Sequence, residues 1–242
     1  MVDFIDTHIH LQDFKPDFAP QVLHNNHLKQ AILISTCHHD FEKITLLLKQ
    51  HPEKLSAAFG THPWYYKENW SLDLLEQKLQ EFPQALVGEI GVDELREPVT
   101  DRQHQLFSAQ LEIAKKYHRP VIVHAAKAFT GLQAHEKELK DLCYVHHGFV
   151  KNRELLKFIN STGGYIGLGS LFLKQEKAHE MWSLIPQDKI LFETDAPYRV
   201  SEESYSAIVQ ENLQKLAVIS KLDIESLAEL LIKNAQNFIS AK

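Results

Sequence analysis

Positive charge is scarce in this chain of 242 residues, which has 26 Lys and Arg against 32 Asp and Glu and a formal net charge of −6. Proteins that lie along a nucleic acid normally present a broad basic face. The charge balance therefore argues against an extended nucleic-acid footprint. It leaves open a metal site that reaches the end of a nucleic acid.

Cysteine is also scarce: Cys37 and Cys143 are far apart and form no CxxC motif. A disulfide framework and a structural zinc site of cysteines are thus not indicated. The first residues, MVDFIDTHIH, lack the basic start and long apolar run of a signal peptide, and no run approaches the roughly 18 apolar residues of a membrane span. We expect a cytoplasmic protein with reduced thiols and no membrane segment.

No Gly/Ser-rich or Pro-rich linker, repeat or low-complexity tract interrupts the chain, which favours one domain over residues 1–242. What the chain does contain is a series of short β-rich runs. They lie at 2–8, 31–36, 55–60, 85–91, 120–125, 142–147, 163–169 and 189–194. Most are continuously apolar, which is typical of parallel strands covered on both faces.

Segments with helical periodicity separate these runs. The clearest is 101–117, where Thr100 and Gln103 are spaced for a capping box. Others lie near 40–50, 71–81, 131–140, 151–160 and 174–184. The alternation predicts an α/β fold, a (β/α)8 TIM-like barrel with additional C-terminal helices near 203–219 and 223–239. An open doubly wound sheet is the alternative.

Histidine is unusually frequent, and eight of the 15 lie at or just after a strand-like run. Those eight are His8, His10, His38, His39, His62, His124, His146 and His147. His8 and His10 are two residues apart on one extended segment, so both side chains project to the same face and can chelate one ion. Taken alone, this pair could equally be two polar residues at a strand end.

Glu89 lies inside the apolar run LVGEIG, where an unpaired carboxylate would cost several kcal/mol to bury. A cation or a basic partner must offset that cost, and no strand-like run carries Lys or Arg at a comparable interior position. His124 ends the fifth run, His146 or His147 ends the sixth, and Asp195 follows the eighth. Their joint placement at one barrel end favours a metal site over a buried ion pair.

Mixed imidazole and carboxylate ligands suit Zn²⁺, Mn²⁺ or Fe²⁺ better than Ca²⁺, and Mg²⁺ is not excluded. We expect two divalent metal ions, with Zn²⁺, Mn²⁺ or Mg²⁺ as candidates. Two cations would form a metal-bridged hydroxide near neutral pH and stabilise the charge of an in-line displacement. Asp195 is suited both to ligate one ion and to accept a proton from water.

The motifs resemble the TatD family of metal-dependent deoxyribonucleases, among the amidohydrolase-like barrels. They run in the family's order over nearly the whole chain: DTHIH (6–10), GTHP (60–63), GEIGVD (88–93), the helix region around Gln105, PVIVH (120–124), HGF (147–149) and ETDAPY (193–198). The resemblance implies that His8, His10, Glu89 and Asp195 hold one metal and that Glu89, His124 and His147 hold the other. The HGF motif selects His147 over His146.

The same resemblance implies that His62 contacts a substrate phosphate, whereas His38 and His39 match no family ligand. Two departures from the family concern phosphate binding. Ala126 stands where the family often has Arg, with Lys127 next to it, and the last-strand motif runs directly into a short loop that contains Arg199. We expect His62, Lys127 and Arg199 to contact substrate, and the loss of the bidentate arginine grip to weaken or redirect phosphodiester binding without dismantling the metal site.

The sequence thus predicts a divalent-metal-dependent hydrolase, namely a TatD-like phosphodiesterase or deoxyribonuclease in which Asp195, Glu89 and His62 are catalytic. Its expected partners are DNA ends or a small phosphoester, and nothing in the sequence indicates an obligate protein partner. One alternative is an amidohydrolase or lactonase that attacks a small carbonyl substrate. Another is a catalytically impaired metal-binding protein.

Overall fold

The computed structural model describes residues 1–241, which contain eight parallel strands that pair in chain order. The strands are β1 (Phe4–Ile9), β2 (Leu28–Ile34), β3 (Leu55–Phe59), β4 (Leu86–Asp93), β5 (Val121–Ala126), β6 (Tyr144–His146), β7 (Tyr165–Leu168) and β8 (Ile190–Phe192). Each lies within or next to a predicted run. The ring closes where Ile9 bridges Ala196 and the Ala196 carbonyl accepts a hydrogen bond from the His10 amide at 2.8 Å. The predicted (β/α)8 barrel is confirmed.

Helices connect the strands on the outside of the barrel. They are α1 (Ala19–Leu23), α2 (His38–Gln50), α3 (Leu72–Glu81), α4 (Asp101–Tyr117), α5 (Phe129–Gln133), α6 (Glu136–Lys140), α7 (Arg153–Thr162), α8 (Ser170–Leu173), α9 (Ala178–Trp182), α10 (Tyr205–Ser220) and α11 (Ile224–Ile239). The helix expected near 131–140 is two short helices, and the one near 174–184 is represented by α9 alone. Between α5 and α6, His135 turns inward, where its Nε2 lies 2.8 Å from His104 Nδ1.

Two apolar layers hold these elements in place. One fills the barrel with residues such as Ile32, Ile34 and Ile122, which α11 joins through Ala235 and Phe238. The other, larger layer lies between the strands and the outer helices. Asn234 of α11 donates hydrogen bonds to the carbonyls of Gln187 and Ile190, at the start of β8. The last helix therefore packs near the N-terminal end of the barrel and leaves the opposite end open.

The capping box expected at the start of α4 is only half formed. The Thr100 hydroxyl accepts the Gln103 amide at 3.3 Å, as expected for an N-cap. The Gln103 side chain, however, turns away from the helix start and pairs with both backbone groups of Asp93, at 3.0 and 3.2 Å. That pairing satisfies the buried end of β4, which lies next to the residues described below.

Candidate metal centre

Polar side chains, which the apolar core excludes, cluster at the open end of the barrel. The structure brings together all six predicted ligands, namely His8, His10, Glu89, His124, His147 and Asp195. They come from the C-terminal ends of β1, β4, β5, β6 and β8 or from the residues just beyond them. Four are buried, whereas His124 and Asp195 are half-buried. Parallel strands all end at this side of a barrel, which is why residues so distant in sequence converge.

The first group of donor atoms comprises His8 Nε2, His10 Nε2, Glu89 Oε2 and Asp195 Oδ1. The two imidazole nitrogens are 3.3 Å apart, and each lies 3.5–4.0 Å from the Glu89 and Asp195 oxygens. A tetrahedral ion with ligands at about 2.1 Å sets its ligands about 3.4 Å apart. The spacing of this group therefore fits a single divalent ion.

The second group is more compact and comprises His124 Nδ1, His147 Nε2 and Glu89 Oε1. The carboxylate oxygen lies 2.7 Å from the His124 nitrogen and 2.6 Å from the His147 nitrogen, and the two nitrogens are 3.1 Å apart. These are hydrogen-bond distances, so the atoms need to open by roughly half an ångström to coordinate an ion. The donor types fit a borderline divalent cation.

Glu89 links the two groups because each of its carboxylate oxygens faces a different pair of histidines. Burial opposes ionisation of this side chain, but the imidazoles of His147, His62 and His8 hold its pKa well below the usual range. Glu89 is therefore an anion at neutral pH. A buried anion between four imidazoles is the arrangement that a carboxylate bridge between two cations requires.

In two of the histidines, a hydrogen bond from the ring nitrogen on the far side fixes which nitrogen faces the centre. His10 Nδ1 lies 2.9 Å from the Ile34 carbonyl, so Nδ1 carries the proton and Nε2 presents its lone pair. His124 Nε2 lies 2.7 Å from Asp93 Oδ2, which leaves Nδ1 facing Glu89. Carboxylate and carbonyl partners of this type orient metal-bound histidines in general.

His62 carries its proton on the ring nitrogen that faces the centre, the opposite of His10. Its Nδ1 accepts the backbone amide of Trp64 at 3.1 Å, so Nε2 carries the proton and points toward Glu89 Oε1 at 3.8 Å. Burial, together with the nearby His124 imidazole, lowers the pKa of His62 to about 3. The side chain is therefore a neutral hydrogen-bond donor beside the two groups, which suits contact with an anionic oxygen better than metal ligation.

Asp195 sits in a left-handed backbone conformation with φ 54°, which Asp tolerates better than most residues. Its amide donates to the His8 carbonyl at 2.9 Å, and Arg199 Nε lies 3.4 Å from its Oδ2. Burial raises the pKa of this carboxyl, but the hydrogen bond to His10 and the neighbouring His8 and His147 lower it below its usual value overall. Asp195 is thus ionised and able to accept a proton.

Three acidic residues near the centre were not predicted as site residues. Asp93 orients His124, and Glu193 Oε1 accepts the Gly148 amide at 2.6 Å, immediately after His147. Asp6, the first residue of the DTHIH motif, accepts hydrogen bonds from the hydroxyls of Thr194 and Tyr205. A sequence signal existed for Asp93, because it lies four residues after Glu89 on the same strand. Glu193 and Asp6 stand in the motifs ETDAPY and DTHIH, but the resemblance gave a ligand role in these motifs only to Asp195, His8 and His10.

A cavity of about 580 Å³ opens beside His124, His147 and Asp195. Its lining includes Lys127 and Arg199, two of the three predicted substrate contacts, together with Lys151 and several apolar side chains. His146 also lines it, and burial lowers the pKa of His146 to about 3, which keeps that ring neutral. His38 and His39 lie outside the six-ligand cluster, as expected.

Within residues 1–241, no helix is both long and apolar enough to cross a membrane.

The sequence model of the family described as TatD related DNase matches residues 5–240. The uncharacterized metal-dependent hydrolase YjjV of Escherichia coli (strain K12) is 33% identical over 208 residues, which cover 80% of this chain and 79% of that protein. The crystal structure of YjjV, a TatD homolog, has a TM-score of 0.83 at 27% identity and covers 98% of this chain and 97% of that one. The 3'-5' ssDNA/RNA exonuclease TatD of Erwinia tasmaniensis is 27% identical over 218 residues, which cover 80% of this chain and 82% of that protein. With its motifs, its barrel and this match over nearly its whole length, the chain belongs to the TatD related DNase family.

Proposed function

We propose that this protein hydrolyses phosphodiester bonds at the ends of single-stranded nucleic acid and depends on two divalent metal ions. The observation that carries the proposal is the position of Glu89, whose two oxygens face separate histidine pairs. Membership of the family makes the chain a metal-dependent hydrolase, and the exonuclease named above acts on single-stranded DNA and RNA. The open end of the barrel is the site of this activity.

His8, His10, Asp195 and Glu89 Oε2 would hold one ion, and His124, His147 and Glu89 Oε1 would hold the other. Zn²⁺, Mn²⁺ and Mg²⁺ are the candidates, and the imidazole content favours the first two. When bound, two such ions would supply a nucleophile from water at neutral pH and stabilise negative charge on the oxygens of the reacting phosphate. The chain's own residues supply orientation, proton transfer and substrate binding.

Asp195 is the residue that transfers the proton, because it is ionised and belongs to the first group, where its Oδ1 lies 3.5 Å from His10 Nε2. Its carboxylate accepts the proton that water loses as its oxygen bonds to phosphorus, while the P–O bond to the leaving nucleotide breaks and the leaving oxygen takes up a proton from solvent. His62 donates its Nε2 proton in a hydrogen bond to a non-bridging phosphate oxygen, because Nδ1 is already occupied by the Trp64 amide. His62 therefore positions the phosphate without changing its own charge.

Substrate enters through the cavity beside the second group. Lys127, Lys151 and Arg199 give its rim three positive charges in a chain of net charge −6. Three positive charges around one small opening suit the end of a strand better than a duplex laid across the surface. Lys127 binds phosphate as a point charge, where Ala126 removes the bidentate grip of an arginine.

An amidohydrolase or lactonase activity is the second candidate, and the lining of the cavity favours it. Leu95, Phe129, Val150 and Leu171 give the cavity an apolar wall that suits a compact organic acid or ester. The same polarised water would attack a carbonyl carbon.

We also propose that the chain is one domain, because α11, close to its end, packs on residues of β1 and β8.

A substrate panel decides between the two activities. Metal-stripped protein is reloaded separately with Zn²⁺, Mn²⁺ and Mg²⁺ and offered 3′-labelled single-stranded DNA, bis(p-nitrophenyl) phosphate, a phosphomonoester and a set of lactones. We expect metal-dependent release of nucleotides from DNA and cleavage of the diester. Turnover of lactones without turnover of either diester would overturn the proposal and favour the carbonyl chemistry.

A further inference from the structure

A second cluster of metal-ligating side chains lies at the open end of the barrel, outside the centre described above. One donor atom each from His38, His39 and Glu68 comes within 4.8 Å of the other two. The two histidines begin α2, and Glu68 follows the short turn Pro63–Tyr65. Neither the sequence motifs nor the proposed reaction uses any of the three.

These three side chains are free to bind a ligand. Within residues 1–241, no side-chain hydrogen bond or ion pair engages His38, His39 or Glu68. The neighbouring Lys67 is occupied by Glu97, whose two oxygens lie 2.9 and 3.1 Å from its Nζ, so it does not neutralise Glu68. His38 is half-buried and the other two are exposed, so their rotation can bring the donors closer at little cost.

The backbone that carries the cluster is well fixed although the side chains are free. Asp40 Oδ2 accepts hydrogen bonds from the Thr36 amide, the Thr36 hydroxyl and the Cys37 amide at 2.8, 2.9 and 3.4 Å, which anchors the first turn of α2. The His38 and His39 rings lie with their centroids 4.0 Å apart on that turn. Adjacent imidazoles on a fixed turn lose less conformational freedom on binding than two on a loose loop.

We propose that His38, His39 and Glu68 bind a third divalent ion, separate from the central pair. Two imidazoles and a carboxylate suit a borderline transition metal such as Zn²⁺, Ni²⁺ or Cu²⁺ better than Mg²⁺ or Ca²⁺. Three protein ligands leave positions for water, and the exposed setting makes the ion weaker and more exchangeable than one held in the buried centre. Occupancy therefore follows the free metal concentration.

Because of the position of this site, an ion bound there would affect how the protein attracts its substrate. The Thr36 carbonyl, two residues before His38, accepts the amide of His62 at 2.8 Å, so the cluster adjoins the loop that carries a proposed phosphate contact. The proposed function gives the protein an anionic substrate, and a cation at this site adds positive charge beside the loop that carries His62. Such a charge raises the local concentration of anionic substrate, most strongly at low salt.

Metal binding tests the site without reference to activity. Wild-type protein, His39→Ala, Glu68→Gln and the control His179→Ala, which removes an exposed histidine elsewhere, are dialysed to equilibrium against buffered Zn²⁺, and bound zinc is measured per chain. We expect the wild type and His179→Ala to bind one equivalent more than His39→Ala and Glu68→Gln. Far-UV circular dichroism checks that all four remain folded.

Equal zinc content in wild type, His39→Ala and Glu68→Gln would overturn the third site. A drop that is as large in His179→Ala would overturn it too, since it would show nonspecific binding to surface histidines. The comparison is a difference between variants, so it stands whether or not the central pair binds as proposed. Loss of the central ions would instead lower the zinc content of all four proteins equally.

Discussion

Asp93 Oδ2 lies 2.7 Å from Nε2 of His124, on the side of the ring that faces away from Glu89. This contact sets the tautomer of His124 and directs Nδ1 into the centre. Asp93 in turn is held by the Gln103 side chain, which binds both of its backbone groups. A residue that touches neither proposed ion thus controls how one ligand is presented.

Substituting Asp93→Asn should weaken one ion of the pair selectively. The amide removes the negative charge that supports the His124 ring, and partners of this kind are worth about 10–100-fold in metal affinity. Calorimetric titration of metal-stripped protein with Zn²⁺ measures the two affinities. Glu94→Gln, at the exposed neighbouring position, is the control and should bind both ions as the wild type does. Unchanged affinities in Asp93→Asn would contradict the orienting role.

His62→Ala should reduce turnover without reducing metal content. The substitution removes the Nε2 proton donor and leaves the six proposed ligands in place, and a hydrogen bond to a charged group contributes about 1.5–3 kcal/mol, or roughly 10–100-fold in kcat/KM. Metal analysis and diester hydrolysis are measured on the same preparation. Loss of an ion in His62→Ala would show that this histidine is a ligand and not a phosphate contact.

Lys127→Gln should raise KM for single-stranded DNA, and the effect should shrink as salt is added. Lys127 lines the cavity rim, where its charge attracts phosphate through solvent, and added salt screens such attraction. Initial rates at low and high ionic strength measure the change. Lys43→Gln, on the exposed side of α2, is the matched control. A KM increase that is the same at all salt concentrations would contradict an electrostatic role for Lys127.

The thiol of Cys143 should react slowly with alkylating agents at neutral pH, and the rate of this reaction should keep rising to an unusually high pH. Burial raises its pKa to about 11, so the reactive thiolate is scarce at neutral pH in the folded protein. The rate with iodoacetamide, measured on Cys37→Ser so that one thiol remains, should increase about tenfold per pH unit up to pH 10, because the thiolate fraction does. A plateau near pH 9 would show that Cys143 is more exposed than the structure indicates.

The strands and the ligand set were accessible from sequence for a shared physical reason. Strands buried on both faces require continuous apolar runs, so a Glu such as Glu89 or a terminal His such as His124 stands out against them. The parallel topology then places all strand ends on one side. Both inferences use local sequence and a general rule about barrels, whereas the choice of His147 over His146 came from the family motif HGF.

Contacts that depend on side-chain direction were not accessible in this way. The half-formed capping box at Thr100 fails because Gln103 finds a better partner in the backbone of Asp93, a choice made by tertiary packing. The cluster of His38, His39 and Glu68 joins the first turn of α2, which follows β2, to a loop that follows β3, so no spacing in the sequence predicts it. Asp6 belongs to the DTHIH motif, but its hydrogen-bond partners Thr194 and Tyr205 are distant in sequence.

The central claim is that Glu89 bridges two divalent ions. Crystals of the protein soaked in Mn²⁺, with anomalous data collected near the manganese edge, test it directly. We expect two anomalous peaks about 3.5–4 Å apart, one on each side of the Glu89 carboxylate, and neither peak at full height in Glu89→Gln. A single peak, or two peaks of which only one contacts Glu89, would contradict the bridge.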